Sequence, residues 1–180
     1  MAGDNPREAV RNFVEPLQDA VLCVANAYVN VRGGYFVRPE PHVLTLNNGE
    51  YIPVSGPRDI SFSVSHDYNI VESEDPERGP WKVASRGYIY TVSERDVPVF
   101  AYHWHPTPGW DVQFPHLHLY LLESIEGNPT HKAHFPTGRV SLESVIRLLI
   151  REFDVEPLRT DYTEVLNKGE EAFIEYRLWA

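Results

Sequence analysis

The sequence predicts an α+β fold with an N-terminal helix, a central antiparallel β-sheet and two C-terminal helices. Three observations carry that expectation. Apolar residues recur at three- and four-residue steps near the N-terminus; apolar and hydroxyl residues alternate through the middle of the chain; and helical spacing resumes after Ser141. A length of 180 residues, with 42% hydrophobic and 12% aromatic content, suits one folded domain spanning 1–180.

The first helix is expected from Pro6 to about Val31, capped by Asp4 or Asn5. Val10, Phe13, Val14, Leu17, Val21, Val24 and Tyr28 form its apolar face, and Pro16 should kink or split it. Gly33-Gly34 ends the element. Val43–Leu46 and Tyr51–Val54 flank Asn48-Gly49, which predicts a short hairpin. Ile60, Phe62 and Val64 alternate with Ser61, Ser63 and Ser65 as in a half-buried strand. After an exposed loop over 73–80, a strand should run from Trp81 to Val92 with a bulge at Gly87. Val97–His105 and Val112–Leu122 then make a final strand pair. Ser141 should cap a helix whose apolar face is Leu142, Val145, Ile146, Leu149 and Phe153, and Pro157 ends it. Asp161 with Glu164 reads as the capping box of a last helix, weakened in its middle by Gly169.

Composition narrows the function. The lone Cys23 excludes an internal disulfide framework and a multi-cysteine zinc site; its apolar surroundings make a buried thiol. No apolar run reaches the roughly 18 residues a membrane span needs. Acids and bases are mixed from Asp4 onward, unlike a signal peptide, so a cytoplasmic protein that does not meet a membrane is expected. A formal net charge of −10 opposes RNA as a partner; it fits either solubility or a basic protein partner.

Six of the eight histidines fall between His103 and His134: His103, His105, His116, His118, His131 and His134. Histidine titrates near neutrality and its neutral ring binds metals, so the cluster points to proton transfer or to a metal. Residues two apart on a strand share a face. A tight turn at Trp110-Asp111 would set His103 opposite His118 and His105 opposite His116, with Cβ atoms about 5 Å apart. Phe100, Tyr102, Trp104, Leu117, Leu119 and Leu121 occupy the other, core-facing side. In one chemistry His103, His105, His116 and His118 hold a divalent transition metal such as zinc, with Asp111 or Glu123 as a further oxygen ligand. In the other, His116, His118 and His134 act as acid and base in phosphodiester cleavage, while Lys132 and Arg139 stabilise the developing charge. Trp110 is the tryptophan best placed to touch a ligand. His42 and His66 are expected at the surface. HExxH, P-loop, GxSxG and GxGxxG motifs are absent.

Four pieces, Tyr88-Ile-Tyr90, Val99-Phe-Ala-Tyr102, Phe114-Pro-His-Leu-His118 and Ser141-Leu-Glu-Ser-Val145, give the chain a resemblance over roughly residues 81 to 153 to the TumE family of toxin components of bacterial toxin–antitoxin pairs. The family's longer Pro-His-His-Lys-His string is not reproduced, and the first and last helices are additional. The resemblance implies a toxin-like protein acting on RNA, with a neighbouring antitoxin as partner, and touches His116 and His118 alone among the candidate site residues. A non-catalytic interaction module is the third reading open to the sequence.

Overall fold

The N-terminal periodicity becomes α1 (Pro6–Val21) in the computed structural model, which describes residues 2–75, 79–106, 109, 111–120 and 133–176. Asn5 caps it by accepting from the Glu8 amide, and the Glu8 carboxylate accepts from the Asp4 amide, so two otherwise orphaned donors are satisfied. The helix passes unbroken through Pro16 and stops ten residues short of the expected Val31. Val24 is buried beyond its end, Tyr28 is exposed, and Val29–Arg32 form a strand instead, held at its start by Gln18, which accepts from the Val29 amide.

The remaining elements are β1 (Ala2–Gly3), β2 (Val29–Arg32), β3 (His42–Leu46), β4 (Ile52–Pro53), β5 (Ile60–Glu72), β6 (Trp81–Glu94), β7 (Val97–Trp104), β8 (His116–Leu119), β9 (Phe135–Pro136), α2 (Leu142–Glu152) and α3 (Tyr162–Tyr176). The strands form one antiparallel sheet in the order β2-β3-β5-β6-β7-β8-β9, with β1 on β6 and β4 on β5. The α+β architecture is therefore as expected, with one helix before the sheet and two after it.

The Asn48-Gly49 hairpin does not form. β3 and β4 both pair with β5, at His42↔Tyr68 through Thr45↔Ser65 and then at Ile52↔Phe62. They lie end to end along one strand, and the turn is an excursion between them. Its left-handed residues Asn47, Asn48 and Gly49 face β2, where Asn30 accepts from the Asn48 amide. A true two-residue hairpin joins β6 to β7 at Arg95-Asp96, both left-handed, with Glu94 opposite Val97.

The alternation on β5 runs its full length. Ile60, Phe62, Val64, His66, Tyr68 and Ile70 all point inward, so His66 and, opposite Tyr68 on β3, His42 are buried in the core and not at the surface. His66 lies between the Tyr90 hydroxyl and the Ser85 hydroxyl, and His42 stacks on Tyr68. The bulge between β5 and β6 falls beside Gly87 as expected, where Asp67 pairs with Gly87 and Tyr68 with Ser85. All three helices cover this inner face: Val10, Phe13 and Leu17 of α1, Val145, Ile146 and Leu149 of α2, and Leu166 of α3 join Phe62, Tyr88, Phe100 and Trp104 in one core. Cys23 is buried among them, as expected. The outer face carries Ser61, Ser63, Ser65, Asp67, Thr91, His103, His116 and His118. Among the described residues no helix is long and apolar enough to cross a membrane.

Ser141 caps α2 as expected, accepting from the Ser144 amide. The Asp161 side chain is taken by Arg159, so the last helix starts without the expected side-chain box and only the Asp161 carbonyl receives the Glu164 amide. Gly169 has a packing reason: a Cβ there would run into the carboxylate of Glu143, which reaches from the first turn of α2 beneath α3. Glu143 is 1% exposed, and burial, reinforced by Glu170, pushes its carboxyl up to about 7 against its own amide, Ser141 and Arg147.

The folded chain thus keeps a proton on Glu143 between about pH 4.5 and 7 that the unfolded chain has released, and stability falls by about 3 kcal/mol across that window. Glu143→Gln should therefore gain about 2–3 kcal/mol over the parent at pH 8 and nothing at pH 4, read from urea unfolding at the two pH values. Gly169→Ala, which would gain about 1 kcal/mol in an open helix, should instead destabilise the protein. Combining it with Glu143→Ala should recover the loss.

Candidate metal centre

Strand parity assembles the histidines. β7 turns Ala101 and His103 to the outer face, β8 turns His116 and His118 to the same face, and the register sets His103 opposite His116 and Ala101 opposite His118. The expected register differs by two residues, because β8 begins only at His116 and the connection from β7 is longer than a tight turn. A shift of two preserves every face, whereas a shift of one would have turned His116 and His118 inward. The small Ala101 opposite His118 leaves room for that ring to lean toward His103.

The centroids of His103 and His118 are 4.5 Å apart, those of His116 and His118 4.9 Å, and those of His103 and His116 5.6 Å. One nitrogen from each of the three lies within 4.8 Å of the others, and among the described residues this is the one such group that could hold an ion. His116 donates from Nδ1 to the Phe114 carbonyl at 2.9 Å, which fixes its tautomer and leaves the Nε2 lone pair facing the cluster. That nitrogen is 3.1 Å from His118 Nε2. Two imidazole nitrogens on one tetrahedral zinc ion stand about 3.3 Å apart, from zinc–nitrogen bonds of about 2.0–2.1 Å. Without an ion, the His118 Nε2–H donates across the gap. His103 Nε2 is buried with no hydrogen-bond partner among the described residues, an arrangement that costs about 1–3 kcal/mol where nothing satisfies the atom.

Burial, followed by the neighbouring imidazoles His118, His116, His105 and His134, pushes His103 down to about 3. Burial, then His116 and His134, brings His118 down to about 4. His116 is lowered as well, by burial first and by His134 and His105, although the Phe114 carbonyl works against the shift. All three rings are therefore neutral at pH 7, the form that ligates a metal.

The other expected site residues separate. His105 follows the end of β7, its ring 5.9 Å from that of His103, and packs against Gly87, where a Cβ would stand 3.3 Å from its Nδ1. Asp67, opposite Gly87 on β5, has its carboxyl raised by burial while His105 and Arg32 act to lower it. His134 is exposed and sets its ring 4.7 Å from His116 and 4.6 Å from His118. Arg139 belongs to the other face of the sheet: its guanidinium lies 3.7 Å over the ring of Trp104, which points into the core. Asp111 is exposed. Lys132, His131, Glu123, Trp110 and Leu121 lie outside the described residues. β9 escaped sequence reasoning, since two residues, one of them proline, carry no alternation to detect.

Long-range proton–nitrogen spectra of the metal-free protein should show His116 as the Nδ1–H tautomer. In Phe114→Pro or any variant that moves the 114 carbonyl, that preference should weaken.

No protein-family model matches the chain, and no curated protein or solved structure matches it.

Proposed function

We propose that the chain binds a divalent transition metal of the zinc, nickel or copper class through His103, His116 and His118. The observation that carries this reading is the buried, unpartnered Nε2 of His103 in a group whose other two members present nitrogens 3.1 Å apart. His42 also buries ring nitrogens without a partner, but it belongs to no such group among the described residues; the unpartnered atom of His103 counts because it lies in a group of three imidazoles whose ligand nitrogens are within 4.8 Å of one another. Three neutral imidazoles favour borderline metals over calcium or magnesium, which take oxygen donors. Three nitrogens leave a tetrahedral ion one ligand short, so a fourth ligand is needed.

The phosphodiesterase reading, and the RNA-cleaving role that the TumE resemblance implies, would employ the same His116 and His118. It needs a cation beside them; of the two expected, Arg139 is engaged with Trp104 on the inner face and Lys132 lies outside the described residues. The net charge of −10 also opposes a polyanionic substrate. The metal reading requires only side chains that the fold has already gathered.

One equivalent of Zn(II) should bind the parent chain, and zinc at a hundred times its Kd should raise unfolding stability by about 2.7 kcal/mol. His103→Phe should abolish both effects while leaving the metal-free protein as stable as the parent or more so, because it removes a buried unsatisfied nitrogen. Equal zinc binding by His103→Phe, measured by calorimetric titration, would refute the centre.

A further inference from the structure

We infer that His134 is the fourth ligand of this centre and that the segment 133–140 is a strap which the metal fastens. The inference rests on the three-histidine reading above and adds to it a coordination number, a ligand and a mechanical consequence.

Rings that share one tetrahedral ion have centroids about 5 Å apart, given metal–nitrogen bonds of about 2.0–2.1 Å. His134 stands 4.7 and 4.6 Å from His116 and His118, inside the 4.5–5.6 Å range that the three strand histidines show among themselves. It meets both rings edge-on, at 78° and 74°. His105 is the competing candidate and is worse placed. Its one ring contact within the cluster is with His103, at 5.9 Å, against two closer contacts for His134, and it lies beside Gly87. Among the described residues no carboxylate joins the group; His134 itself stands outside the 4.8 Å limit that the other three meet, so the strap closes inward when it binds the ion.

The segment that carries His134 crosses the edge of the sheet. Phe135 and Pro136 pair with Leu117 and His116 as β9, and the Thr137 amide donates to the Pro115 carbonyl. Beyond the edge, Arg139 covers Trp104 and the Val140 amide donates to the Tyr88 hydroxyl, both on the inner face, immediately before Ser141 caps α2. One short stretch therefore touches the histidines on the outer face and the aromatic core on the inner face. β9 is two residues long, so backbone pairing alone holds the strap weakly. An ion bound by His134 and the three strand histidines would close it, giving an all-nitrogen centre that excludes water and ties the sheet edge to α2.

The test is a Co(II) titration of the parent chain and of His134→Ala, followed by azide. The parent should show intense tetrahedral visible bands that azide leaves unchanged, because all four positions are filled. His134→Ala should bind Co(II) at least about tenfold more weakly and its bands should shift on adding azide, which takes the vacated position. His134 is exposed, so its replacement leaves folding intact. The same azide response in both proteins overturns the strap and leaves the three-histidine centre standing. Failure of Co(II) to bind the parent removes the centre and the strap together.

Discussion

The long antiparallel pairing of β5 with β6, from Ile60↔Glu94 to Glu72↔Trp81, decides which side chains in this protein can meet. β5 alternates between two environments along its length, and the one register that runs from Ile60↔Glu94 to Asp67↔Gly87 assigns Phe62, His66, Tyr88 and Tyr90 to the core and Ser63, Asp67 and Thr91 to the opposite face. β7 inherits that division through Tyr88↔Trp104 and β8 inherits it from β7 through His103↔His116. The histidines thus share a face because of hydrogen bonds made several strands away. The bulge beside Gly87 is the one irregularity in the β5–β6 ladder, and His105 lies against that glycine.

Two classes of histidine result from this division, and their surroundings give them different work. His66 is satisfied by Tyr90 and Ser85, and burial holds it neutral down to about 4; it is a polar tie within an aromatic core. His103 is held neutral as firmly, yet its inner nitrogen meets no donor or acceptor among the described residues. Low dielectric makes such an atom costly and a bound cation correspondingly favourable. An unpartnered nitrogen alone does not mark a ligand, since core His42 has two; convergence with two other imidazoles within 4.8 Å sets His103 apart.

Much of this was legible in the residues. Apolar spacing located α1 and α2 and the alternating strands, and parity alone gathered His103, His116 and His118, since an error of two residues in register does not change a face. The misreadings have physical causes. The run after Val21 kept a helical pattern because the same residues, Val24 among them, are buried by a turn and then a strand. Asn48-Gly49 is strong turn chemistry, but the strand it interrupts pairs with β5 on both sides of the excursion. His42 and His66 were placed outside by their polarity, although the period-two pattern through Val64 and Tyr68 pointed inward. Gly169 looked like a defect in α3 until the Glu143 carboxylate was found beneath it. Long-range packing of that kind leaves no local trace.

The sheet ends in two short strands, β2 with four residues and β9 with two. An exposed strand edge offers unpaired amides and carbonyls to any other chain, and long flat edges invite unwanted stacking of copies. Here the thirteen- and fourteen-residue strands β5 and β6 lie in the interior of the sheet. The edge beside the histidines closes with Pro136, which has no amide hydrogen to donate. The same proline-bearing strand that brings His134 to the cluster therefore also makes that edge a poor template for aggregation.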